Sequence, residues 1–155
     1  MAPSPSNAPP SDPPEVTPPT ILRRSACLSL LEGQRVGRLG FVVDGWPIIL
    51  PVNYALDGDD VILRTGAGTK LSAIRHGAQV AFEVDGLDDV HRSGWSVLVL
   101  GTAHEVEDEQ SLARARRLPL RSWSSTPKDF WIRIEAVQIT GRALPKAWRY
   151  PDPVR

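Results

Sequence analysis

Two Asp-Gly pairs, Asp44-Gly45 and Asp57-Gly58, cut a long apolar stretch into three segments, and this constrains the fold more than anything else in the chain. Asp-Gly readily takes the positive φ angles of tight hairpin turns, so the apolar runs on either side must double back on one another. Residues 35–43, 46–56 and 60–65 are therefore predicted to form a three-stranded antiparallel meander. Pro51 lies inside the second of these and cannot donate to a ladder, which implies an edge or a bulge there. The backbone around Pro51, Val52 and Asn53 could then serve the polar rim of a planar ligand. An ordinary edge strand whose proline blocks aggregation accounts for the same residues equally well.

The rest of the chain extends the β pattern. Apolar residues from Ile21 to Leu31 give a rough helical stripe that includes Cys27, with Gly33 placed for a left-handed stop. Residues 69–76 predict a short helix closed by Gly77, residues 78–85 alternate as a fourth strand, and 86–93 read as a polar loop. A fifth strand is expected over 95–106, a helix over 108–118, and a sixth strand over 130–139 that ends at Thr140-Gly141-Arg142. Six antiparallel strands with short helices imply a mostly β fold, a barrel or a sandwich, since closing the sheet removes exposed edges. At 155 residues there is room for one domain, assigned to 21–144. Residues 1–20 form a proline-rich leader with too little apolar area to order itself, and 145–155 a tail.

Charge and cysteine content narrow the function. Eighteen basic and eighteen acidic residues leave no bulk charge to draw the chain to nucleic acid or an anionic membrane, so any ligand charge must be met locally. No apolar run approaches a bilayer span, and a single cysteine suits a reducing cytoplasm. His76, His91 and His104 are too scattered for a metal site. His76 suits a last-turn histidine complementing a helix dipole, Glu83 an outward or interface-paired carboxylate, and Cys27 core packing.

The segment RTGAGTKLSAI, from Arg64 to Ile74, combines a strand end, a glycine loop and a helix start. Unpaired N–H groups at a helix start favour a phosphate, and Arg64, Thr69 and Lys70 could each add a donor. The spacing matches neither a Walker loop nor a dinucleotide fingerprint. Glycines that merely turn the chain, with both cations facing water, are the plain alternative.

Taken in order, RVGRLGFVVDGWPIILPVNYALDGDDVILRTGAGTKLSAI, VAFEVDG, GWSVLVLGTAHEV and WIRIEAVQITGR resemble the pyridoxamine 5′-phosphate oxidase-like flavin-binding split-barrel family, in particular its small actinobacterial members. The resemblance implies a six-stranded antiparallel split barrel. It also implies a homodimer with flavin mononucleotide (FMN) in a cleft between subunits. Arg64, Thr65, Thr69 and Lys70 would hold the phosphate, Pro51, Val52 and Asn53 would lie against the ring, and Trp95 and Ser96, with Trp131, would be further contacts. An oxidoreductase is implied, passing electrons from a reduced nicotinamide to a small organic acceptor, with the chemistry supplied by the cofactor and no catalytic side chain singled out. A non-catalytic binding or sensor module, or a relative using deazaflavin or haem, fits the same resemblance. Pyridoxamine oxidases finish with a basic, substrate-gripping segment that ALPKAWRYPDPVR does not match, which disfavours vitamin interconversion.

Overall fold

A computed structural model of the chain describes residues 18–90, 93–121, 123, 125 and 127–144. The elements are β1 (Thr20–Leu22), α1 (Arg24–Glu32), β2 (Val36–Val43), β3 (Trp46–Asp57), β4 (Asp60–Thr65), α2 (Thr69–Ile74), β5 (His76–Asp88), β6 (Ser93–Glu105), α3 (Glu109–Ala115) and β7 (Phe130–Leu144). Every pairing is antiparallel, in the order β1-β7-β4-β3-β2-β5-β6, and β7 also pairs with β6. Six strands thus close a barrel, as the alternation anticipates. The seventh, β1, adds to the far half of β7 through Thr20↔Ala143 and Leu22↔Gly141. Three residues are too few to carry a period of their own, so β1 exists because β7 offers it an edge.

Both hairpins form. Asp44 and Gly45 take φ of 49° and 81°, the two positive values that a type I′ turn demands. The second turn sits one residue later than its Asp-Gly pair suggests. Asp57 pairs with Asp60 as the last strand residue, so the loop is Gly58-Asp59 with Gly58 at φ 65°. The Asp57 carboxylate is engaged by Arg114 of α3 and Arg133 of β7.

Other boundaries also move. The helix expected from Ile21 starts at Arg24, and Gly33 stays right-handed at φ −72°, its N–H bonding back to the Ser29 carbonyl. His76 opens β5 instead of closing α2, and β7 runs on to Leu144. Residues 86–88, expected in a loop, are strand because Gly86, Leu87 and Asp88 pair with Trp95, Gly94 and Ser93. Their own pattern is polar, and the partner strand supplies the ladder. The leader apart from residues 18–20, the tail and His91 lie outside the described residues. Among the described helices none is long and apolar enough to cross a membrane.

Alternation sends one face of each strand inward. Leu39, Phe82, Val97, Val99, Ile132 and Ile134 are fully buried, and Tyr54 meets Phe82 edge-on with ring centroids 4.8 Å apart. The α1 helix closes the barrel with Cys27 and Leu31, and the Tyr54 hydroxyl donates to the Leu31 carbonyl. Cys27 is thus a core side chain, as its place on the helical stripe suggests. A smaller cluster lies outside the barrel, where Leu112 and Ala115 of α3 pack on Ile62 and Trp131.

Candidate functional site

β3 runs 12 residues but changes partner midway. Residues Trp46 to Asn53 pair only with β2, whereas Tyr54 to Asp57 pair with β4. Among the described residues, Pro51 therefore lies on a half-strand whose other edge has no ladder partner, the situation its missing N–H calls for. Asn53 comes just before the Tyr54↔Leu63 pair and Arg64 just after it, so their side chains flank the point where β3 departs from β4.

Arg64 and Trp131 are register partners on the outer face of the barrel, with the guanidinium 5.0 Å from the indole centroid. One Arg64 nitrogen donates to the Lys128 carbonyl, while its buried Nε has no hydrogen-bond partner. Lys70, in the first turn of α2, is half-buried; burial and then the charge of Lys128 pull its pKa below the ordinary lysine value. Gly66 brings these segments together. A Cβ at that position would lie 2.9 Å from the Pro127 carbonyl oxygen, so only glycine lets the chain carrying Lys128 approach this closely. Among the described residues no carboxylate forms an ion pair with Arg64, Lys70 or Lys128. Among the described residues, three cations thus share one corner without an ion-paired carboxylate. That is costly for a bare protein and favourable around a bound anion.

The other expected site residues divide. Thr69 is exposed at the start of α2, and Thr65 is buried with its hydroxyl donating to the Gly66 carbonyl. Pro51 is exposed on the outer face opposite Arg38, whereas Val52 points into the core opposite Gly37. The Asn53 side chain is engaged on both sides, donating to the Arg35 carbonyl at 3.3 Å and accepting the Trp123 N–H at 2.9 Å. Trp95 and Ser96 stand apart. They pair with Ala143 and Arg142 near one end of β7, while Thr65 pairs with Phe130 at the other. The separation along the strand is roughly 40 Å at about 3.3 Å per residue. Trp95 and Ser96 line a different cleft of about 280 Å³, together with Asp85, Leu87 and Arg142.

The remaining titratable candidates are committed elsewhere. His76 is exposed opposite His104, whose Nε2 lies 3.5 Å from Glu135. Glu83 faces outward against Arg38; burial, then Asp85, push its pKa up against the opposing pull of Arg38. Arg75 is ion-paired with Glu105. Among the described residues no cluster of His, Cys, Asp and Glu is suited to a metal. Sequence reasoning missed Lys128, which sits in an aperiodic polar connection and acquires meaning only from the approach at Gly66.

The family model described as pyridoxamine 5′-phosphate oxidase matches residues 23–143. An uncharacterized protein of Mycobacterium tuberculosis (strain ATCC 25618 / H37Rv), Rv0080, is 39% identical over 125 residues, covering 77% of this chain and 82% of its own. The solved FAD binding protein from Mycobacterium smegmatis is 38% identical with a TM-score of 0.69, covering 81% of this chain and 100% of its own. A FAD-binding protein from Mesorhizobium loti, mll6688, is 27% identical with a TM-score of 0.67, covering 81% and 96% respectively.

Proposed function

The chain belongs to the pyridoxamine 5′-phosphate oxidase-like family of split barrels, and from that premise we propose that it is a flavoprotein oxidoreductase working between a reduced nicotinamide and a small organic acceptor. One observation carries the reading: Lys128 lies within charge reach of Lys70 and takes a hydrogen bond from Arg64 at its carbonyl, no carboxylate among the described residues pairs with any of the three, and the buried Arg64 Nε has no partner. A dianionic phosphate fits this corner, because it supplies acceptors for the orphaned Nε and neutralises the repulsion between the two lysines. Thr69 adds a hydroxyl at its rim. The unpaired edge of β3 at Pro51 to Asn53 then lies alongside for the ring, with Asn53 holding the neighbouring backbone in place.

A bound flavin would supply the hydride chemistry. The work of this chain is to grip the phosphate, present the ring along the β3 edge and exclude water. FMN is the narrower expectation, and FAD is what two relatives are described as binding. Both carry a phosphate on the ribityl chain, a terminal dianion in FMN and one half of a pyrophosphate with a single charge in FAD, and that phosphate is the part the three cations would read. Trp95 and Ser96 reach the same ligand only from a second copy of the chain, so a homodimer belongs to the proposal. The outer sheet face supports it with Ile49 at 69% exposure and Leu98 and Leu100 near 40%, an apolar patch that a second copy would cover.

The expected result on native purification is a yellow protein that releases about one flavin per subunit on denaturation, with mass spectrometry separating FMN from FAD. A colourless protein that takes up neither flavin would refute the proposal. Anaerobic mixing with reduced nicotinamides then tests reduction of the flavin, and addition of a small organic acceptor tests turnover. A second reading, a module that holds the ligand without turnover, is favoured by one feature: no histidine or carboxylate joins Arg64, Lys70 and Lys128 among the described residues. Bound flavin that no nicotinamide reduces would select it.

A further inference from the structure

The outer face of β3, β2, β5, β6 and β7 is read directly from the register. One row runs Ile49, Gly40, Ala81, Leu100, Gln138; the next runs Pro51, Arg38, Glu83, Leu98, Thr140; a third begins at Asp85 and continues through Ser96 to Arg142. In the middle of this surface, with Ile49, Leu98, Leu100 and Pro51 around it, Arg38 lies 3.3 Å from Glu83 and 3.1 Å from Asp85. One guanidinium faces two carboxylates, which leaves the cluster one negative charge in excess.

Resting on the homodimer reading above, we propose that the Arg38–Glu83–Asp85 cluster is the polar centre of the seam between two copies and that closing the seam takes up a proton at Glu83, so association tightens as the pH falls. The charge pattern of the face suits a second copy. Arg38 and Arg142 balance Glu83 and Asp85, so the face selects no charged stranger, and a two-fold axis sets it against itself. The chain's formal net charge of zero adds no long-range repulsion.

Covering the face removes water from the excess carboxylate, and the least costly response is protonation. Glu83 is the acid poised for it. Leu98 flanks it on β6, Pro51 lies beyond Arg38 on β3, and neither offers a compensating charge. Arg142 on β7 shares a cleft with Asp85 but stands two strands across and one row along from Glu83, its backbone roughly 12 Å away at the usual strand spacing and rise. The rise in the Glu83 pKa already present in one subunit has the same cause. His104 stands at the far end of β6 beside Glu135.

Sedimentation equilibrium of the full chain between pH 5 and pH 8 tests this. The dimer Kd of the parent is expected to be at least about tenfold tighter at pH 5, the equivalent of one unit of pKa shift. Glu83→Gln should be tight and flat across the range. Asp85→Asn, which leaves Arg38 and Glu83 as a balanced pair, should flatten the profile too and serves if Glu83→Gln fails to fold. A dimer whose Kd ignores pH, or whose slope survives in these variants, overturns the proton linkage and leaves the dimer standing. A chain monomeric at every pH overturns the dimer itself.

Discussion

Replacing Lys70 with alanine is expected to weaken flavin binding up to about a hundredfold while leaving the flavin-free protein at least as stable as the parent. A charge-assisted hydrogen bond to phosphate contributes about 1.5–3 kcal/mol, or roughly one to two orders of magnitude in Kd. The stability effect runs the other way, because the free protein holds Lys70 half-buried beside Lys128 with no anion between them. Binding and folding thus make opposite demands on one side chain, as they do at many ligand sites. Fluorescence titration with FMN and FAD measures the first effect and thermal unfolding the second.

The pH dependence has a definite sign. Burial and Lys128 hold the Lys70 pKa below 10.5 in the free protein, and a bound phosphate raises it again, so binding takes up a proton. Affinity is complete below the free-protein pKa and declines as the pH rises through the bound one, in the alkaline range. Lys70→Ala loses this slope, and Lys70→Arg keeps the affinity at neutral pH. Unaltered flavin affinity in Lys70→Ala would remove that residue from the site.

Asp57→Ala should produce the largest loss of stability. Arg133, only 14% exposed, is held between Asp57 and Asp60, and Asp57 also binds Arg114 on α3 at 2.7 Å. Truncation leaves a mostly buried guanidinium with one partner and loosens the helix that covers Ile62 and Trp131. The expected cost is about 2 kcal/mol, between the values for buried and for exposed pairs. In a domain of this size that lowers Tm by roughly 8 °C. The hydrogen bond from Arg133 is the chief reason the Asp57 carboxyl sits below its usual pKa, with burial opposing and Arg114 assisting. Its contribution is complete above the unfolded pKa and disappears as the pH falls through the folded one. The gap between parent and variant should therefore narrow on acidification. Equal Tm values at neutral pH would show that Asp60 alone satisfies Arg133.

Part of this was written locally. The Asp-Gly pairs and the alternation of residues 36–43 and 46–56 specify a meander without reference to the rest of the chain, because turn geometry and a two-residue period are nearest-neighbour properties. Arg64, Thr69 and Lys70 were visible for the same reason, as charges and a hydroxyl around a glycine loop. Pro51 announced an unpaired edge through its missing donor. Residues 86–88 were misread because their polarity resembles a loop, and only the partner strand shows that they are paired. The Asp57-Gly58 turn was misplaced by one residue, since the Asp57↔Asp60 pairing is a matter of register between the two strands.

The chain's own order of apolar and turn residues determined that it would be an antiparallel β protein with a cationic loop at one strand end, since those properties depend on neighbours a few residues away. Tertiary structure decided the rest. It closed β6 on β7, set Lys128 beside Lys70, left the Arg64 Nε without a partner and placed Trp95 at the opposite end of the barrel. Each of these depends on which surfaces meet after the chain has folded back on itself, and that is set by packing across long sequence separations, where no local period reaches.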